Sequence, residues 1–157
     1  MCALVATAIV AAQLKRKPVS WTRSGMGSMP RITDSRSVLA VRNLQASTRF
    51  FIDVLGFKQD FGDGSDGWSF LSRDAFKVML GECPEEMPAA AIGDHSYVAY
   101  LLVEGVDALH KELSARGIEA LTPPISQSWG LREFSIQTPD GHRIRFGEPS
   151  AIPANKR

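Results

Sequence analysis

The stretch "SWGLREFSIQTPDGHRIRFGE", residues 128–148, decides how the chain folds. It contains two strand-like runs, LREFSIQ and HRIRFGE, joined by TPDG, where Pro139 presets the first central dihedral of a turn and Gly141 closes it. The second run has a counterpart earlier in the chain. FKVMLGE at 76–82 matches HRIRFGE at 142–148, with apolar residues in matching places and an identical Gly-Glu end. VRNL at 41–44 aligns in the same way with VEGV at 103–106, at a spacing four residues shorter that loop insertions absorb.

The segments between these anchors repeat in the same order. SVLAV reads as a strand, and NLQASTRFFIDVLG as a helix capped by Asn43 and closed by Gly56, with Ala46, Phe50 and Val54 on one stripe. FKQDF, GWSFLS and AFKVMLGE follow as three strands. In the second half YVAYLLV is a strand, and GVDALHKELSARG a helix with Val106, Leu109 and Leu113 on one face. IEAL, LREFSIQ and HRIRFGE are its three further strands. The pattern predicts an α+β domain of two tandem βαβββ units, at about 35–83 and 95–149. Residues 1–33 form an N-terminal extension, 34–150 the domain and 151–157 a tail.

Composition narrows the function. With 157 residues and 44% apolar content, the chain can bury roughly 68–70% of its unfolded surface. The formal net charge of +1 conceals an asymmetry, because residues 1–33 carry five basic side chains and no acid, leaving −4 on the remainder. A domain of that sign does not attract nucleic acid, and none is expected as a partner. The apolar segment MCALVATAIVAA is too short to span a bilayer, and no membrane partner is expected. This leading region reads as a targeting peptide, a tail, or the product of a start assigned too early, with Met29 opening the domain. Cys2 and Cys83 lack metal-ligand spacing, and the cytoplasm is the expected compartment.

The duplicated order, AVRNLQASTRFFIDVLGF opening the first unit and TPDGHRIRFGE closing the second, resembles the vicinal oxygen chelate superfamily of glyoxalases, bleomycin-resistance proteins and dioxygenases. WGLREF ahead of TPDG, and GFKQDF after the first helix, are similar to the bleomycin-resistance branch. The resemblance implies that the two units form a curved, cup-like mixed sheet backed by helices, in a homodimer that binds a small molecule. In metal-using members, His, Gln or Glu on the first and last strand of each unit supply N and O ligands to a divalent ion. The matching positions here are Arg36, Met79, Val98 and Arg145. A guanidinium stays protonated and offers no lone pair, so neither a metal nor another cofactor is expected. His95, His110 and His142 lack ligand spacing.

Other schemes find little footing. GDGSDG at 62–67 has the spacing of a dinucleotide-binding loop, yet a strand-like run follows it in place of the required helix. Alternation instead assigns the ligand-equivalent residues and their neighbours Val38, Lys77, Tyr100, Leu102 and Arg143 to an inner face. Trp129, Phe61 and Trp68 are placed around its mouth. The candidate ligand-binding set is Trp129, Glu133, Phe61, Trp68, Tyr100, Arg36 and Arg145, with no catalytic residue. Glu133 could also pair with Glu148 or Asp140 as acid and base. The expected function is sequestration of an antibiotic or metabolite in a groove between two chains. The alternatives are a metal-dependent glyoxalase-like lyase or dioxygenase with atypical ligands, a metal-free isomerase, or an immunity-type protein whose groove accepts a peptide.

Overall fold

The computed structural model describes residues 30–150. The proposed tail at 151–157, and residues 1–29 of the proposed extension, lie outside the described residues. The chain divides into a first unit ending at Ser35 and a main unit from Arg36 onward. In the first, the Ser35 N–H donates to Asp34 Oδ1 at 2.9 Å.

The main unit carries the expected repeat. Strand β1 (Ser37–Val41) leads into helix α1 (Leu44–Arg49), then β2 (Lys58–Phe61), β3 (Trp68–Arg73) and β4 (Phe76–Glu82). After a short 3-10 segment at Ala89–Ser96 come β5 (Tyr97–Leu102), α2 (Val106–Ala115), β6 (Thr122–Ser126), β7 (Leu131–Gln137) and β8 (Arg143–Pro149). The first sheet has the order β1-β4-β3-β2 and the second β5-β8-β7-β6. In each, the last strand pairs in parallel with the first and antiparallel with the third.

Asn43 caps α1 by accepting from the Ala46 N–H at 2.9 Å. The helix then widens into a π-type turn at Phe50–Val54, in which the Leu55 N–H reaches Phe50 O. Its buried stripe is Leu44, Ser47, Phe51 and Leu55, not the expected Ala46, Phe50 and Val54; Ala46 is exposed. The run FFIDVL offers apolar side chains in nearly every direction, so periodicity alone does not select the core face. Helix α2 buries Val106 and Leu113 as expected.

A second departure concerns β6, which forms from TPPIS and not from IEAL. Two prolines survive in this strand because it is the sheet edge, paired only with β7, and because its register slips between Thr122 and Ile125. Ile118 and Ala120, from the expected strand, pack instead against the core.

The helix-facing residues of both units merge into one core, which includes Leu39, Val41, Leu71, Val78, Leu80, Phe134, Ile144 and Phe146. Each strand therefore presents its alternate residues on a helix-free face. The repeated Gly-Glu ends account for their own duplication. Glu148 accepts from the N–H groups of Gly105 and Val106 at 2.9 Å each, capping α2, and Glu82 accepts from the Leu44 N–H at 3.4 Å, at the start of α1. These backbone bonds hold the Glu148 carboxyl below its usual range.

The TPDG turn also ties the units together. Asp140 accepts from the Arg42 N–H at 2.8 Å and from the Ser47 hydroxyl at 2.6 Å. Replacing it removes two bonds and leaves the buried Ser47 hydroxyl unpaired. Asp140→Ala is therefore expected to destabilise the fold by about 1–3 kcal/mol in urea unfolding. Glu148→Gln should lower the unfolding midpoint at neutral pH and weaken its fall under acid. A depressed carboxyl pKa adds stability above its ordinary value of 4.5, and that stability is lost as pH drops through the folded value.

Candidate functional site

The helix-free faces of the two units differ in chemistry. On the first sheet, Val38 lies opposite Met79, Met79 opposite Phe70, and Trp68 opposite Gly81. Phe61 stacks on Phe70 with ring centroids 4.2 Å apart. The Arg36 guanidinium lies over both rings, 5.5 and 5.9 Å from their centroids, and pairs with Asp60 at 3.2 Å. Trp68 lies flat across Gly81, where an added Cβ would approach its ring to 2.9 Å. Trp68 is 8% exposed and Phe61 36%. This half is an aromatic wall edged by one charge pair. Burial tends to raise the Asp60 carboxyl, but bonds from Ser72 and Arg36 outweigh it and leave the group below its usual value.

The second sheet carries polar groups at the equivalent places. Glu133 lies opposite Gly147, as Trp68 does opposite Gly81, and Ser135 lies opposite Arg145. The Tyr100 hydroxyl donates to Glu133 Oε1, and Trp129 Nε1–H donates to the same oxygen at 3.2 Å. Tyr100 occupies the space above Gly147 that any side chain there would need. Glu133 is 4% exposed, whereas Tyr100 and Trp129 are 46% and 56% exposed. Burial, and then the hydrogen bond and charge of Glu133, push the Tyr100 phenol up to about 12.

Beside this group Arg145 donates from Nε to the Ser135 hydroxyl at 3.1 Å and from Nη2 to the Tyr97 hydroxyl at 2.9 Å. Its guanidinium lies 4.7 Å from the Tyr97 ring centroid. Burial tends to raise the Tyr97 phenol, but bonds with Ser135 and Arg145 and the charges of Arg145 and Arg143 prevail and hold it below its ordinary value.

Tyr97 was not among the expected residues. Strict alternation assigns Val98 to the inner face, but a bulge sets Tyr97 opposite Arg143 and Ala99 opposite Ile144. The extra residue turns Val98 toward the core and brings Tyr97 to the helix-free face. A one-residue bulge leaves no mark in the residue types of YVAYLL. Phe70, by contrast, was available from alternation with Trp68.

The seven candidates thus form two clusters, Arg36, Phe61 and Trp68 on one sheet and Tyr100, Trp129, Glu133 and Arg145 on the other. Glu133 meets neither Asp140 nor Glu148, which serve backbone N–H groups instead. Arg132 points away from Glu133 and clasps Asp107 of α2 with two bonds of 2.8 Å.

The donor set does not fit a divalent ion. Of the four positions that the resemblance matches to metal ligands, Arg36 and Arg145 carry guanidinium groups and Met79 and Val98 carry no nitrogen or oxygen donor, and a bulge sets Tyr97 beside Val98. Among the described residues no group of three or more His, Cys, Asp or Glu could hold a metal. His142 is buried against Thr138, and burial lowers its pKa. His110 packs edge-on against Phe134. The 62–67 loop joins β2 to β3, and its glycines take positive φ in the turn. No helix among the described residues is long and apolar enough to cross a membrane. A cavity of about 770 Å³ lies on the helix-bearing side, lined by Leu55, Phe57, Phe76, Leu101, Leu109 and Phe146 among others. Its charged wall residues Arg73 and Glu112 bond to each other at 3.5 Å.

Two mixed four-stranded sheets, each built by a βαβββ unit and backed by helices, define the paired βαβββ class. The chain belongs to the Glyoxalase/Bleomycin resistance protein/Dioxygenase superfamily, whose family model matches residues 32–146. Among solved structures it is similar to an integron cassette protein from the mobile metagenome of the Halifax Harbour sewage outfall. That likeness has 25% identity and a TM-score of 0.62, and covers 73% of this chain and 97% of that one. It is also similar to the bleomycin-binding protein of Streptomyces verticillus, solved with copper(II)-bleomycin. There the identity is 25%, the TM-score 0.60, and the coverage 75% of this chain and 97% of that one. A glyoxalase/bleomycin resistance protein/dioxygenase from Nocardioides shares the fold at 19% identity and TM-score 0.61, with 97% of each chain covered. A search of curated proteins finds no significant match.

The Tyr100 assignment is checked by spectrophotometric titration. One tyrosine should ionise near pH 12, and in Glu133→Gln it should ionise closer to the ordinary value of 10.0, since the Glu133 bond and charge are two of the causes of the rise. A folded-state phenol pKa above the unfolded one also means that the associated stability is present below about pH 10 and lost as pH climbs toward 12.

Proposed function

We propose that the chain is a metal-free small-molecule-binding protein that sequesters an antibiotic or metabolite in grooves between two copies of itself in the cytoplasm. Residues 34–150 are its binding domain, and 1–33 and 151–157 are flanking segments. The observation that carries this reading is the pair of substitutions at the chelating corners. Arg36 and Arg145 are the residues that the resemblance matches to the family's lone-pair donors, and both are occupied in aromatic and hydroxyl contacts.

The surrounding surface suits a binder. Aromatic rings with a few polar anchors fix and orient a small ligand, and Trp129 offers an exposed face whose indole N–H is already held. Dimerisation is supported by Val38, Leu102 and Ile125, which are 61%, 70% and 46% exposed and leave apolar surface in water on a lone chain. The likeness to a protein solved with copper(II)-bleomycin makes bleomycin the first probe.

The test is a thermal-shift screen of bleomycin, other glycopeptides, glutathione adducts and aromatic acids, run with and without EDTA, together with metal analysis of the purified protein. A ligand shift that is indifferent to EDTA in metal-poor protein supports sequestration. Near-stoichiometric nickel, zinc, iron or manganese would overturn it in favour of a lyase or dioxygenase. Trp129→Ala is expected to weaken binding of the responding ligand by about 1–3 kcal/mol without unfolding the domain. Sedimentation should give twice the chain mass.

A further inference from the structure

Glu133 is the buried acid that the fold does not complete. Its Oε1 receives both the Tyr100 hydroxyl and the Trp129 indole N–H, while Oε2 is buried and has no hydrogen-bond partner among the described residues. Among the described residues no cation pairs with it. Arg145, opposite the next inward residue of β7, donates to Ser135 and Tyr97, and Arg132 is held by Asp107 on the other face of the strand. A buried carboxylate with open lone pairs is costly unless a charge or a strong donor answers it. The two side chains that hold its other oxygen are the half-exposed ones, so a ligand entering from the helix-free face meets Tyr100 and Trp129 first.

We infer that Glu133 is the receptor for a protonated amine, its open oxygen accepting from a ligand ammonium group that Tyr100 and Trp129 flank with their rings. This rests on the small-molecule reading above and names the ligand class for that site. An ammonium supplies both the missing charge and the missing donor. Aromatic faces add cation–π attraction that a carboxylate ligand does not gain. An anion would meet the like charge of Glu133 in a place where water screens it poorly. A neutral N–H donor satisfies the lone pair but leaves the charge unanswered. Specificity therefore comes from an atom the protein itself leaves unpaired, and an analogue without the amine recreates the original deficit.

Three probes of similar shape and different charge separate these cases: tryptamine, 3-methylindole and indole-3-acetate. Each is titrated to millimolar concentration into ¹⁵N-labelled full-length protein, following the indole N–H of Trp129 and the amides of Tyr97, Tyr100 and Glu133. Tryptamine is expected to bind roughly tenfold more tightly than either other probe, as a charge-assisted bond to a desolvated carboxylate requires. Glu133→Gln should abolish that preference, so that tryptamine and 3-methylindole bind with equal affinity. Equal affinity for all three, a preference for indole-3-acetate, or a tryptamine preference that survives in Glu133→Gln overturns the inference and leaves the small-molecule reading standing. If none of the three perturbs these resonances, the inference falls, and the thermal-shift screen alone decides the small-molecule reading. Should Glu133→Gln fail to fold, the wild-type order of affinities decides the matter alone.

Discussion

The structure depends on how the last strand of each unit ends. Among the described residues β4 and β8 are the only strands in their sheets with a parallel neighbour on one side and an antiparallel one on the other, and both carry Gly-Glu near their ends. The glutamate leaves the sheet to cap the helix of its own unit, which fixes the helix against the strand that buries it. The glycine, on the opposite face, makes room for a large side chain to lie on the sheet. One dipeptide thus locks the covered face and opens the other.

Duplication then permits divergence. Once Gly81 and Gly147 provide equivalent floors, the residues above them need not match. The first unit lays Trp68 across its glycine, surrounded by Phe70, Phe61 and Met79, and becomes an aromatic wall. In the second unit the position of Trp68 is taken by Glu133 and that of Phe70 by Ser135, and the arginines and tyrosines nearby extend a polar network. The covered faces remain alike because both must fill one apolar core. The helix-free faces are under no such constraint, so chemical difference accumulates there.

Much of this was legible in the residues. The order of strands and helices, the Asn43 cap, the TPDG turn and the apolar sets under the helices follow from alternation, helical period and turn chemistry, all of which are local. Two local readings failed where a neighbour decided the outcome. TPPIS is a strand because it lies at an edge, where a missing N–H costs little, and FFIDVL turned a different stripe inward because several of its faces are apolar.

Sequence alone therefore determined the paired βαβββ plan, because periodicity and turn chemistry are properties of the chain itself. Tertiary structure alone decided that a bulge exchanges Tyr97 for Val98, that Asp140 stitches one unit to the other, and that Glu133 keeps an unanswered oxygen. Each of these depends on which strand lies beside which and in what register, and a register is set only when two distant segments meet.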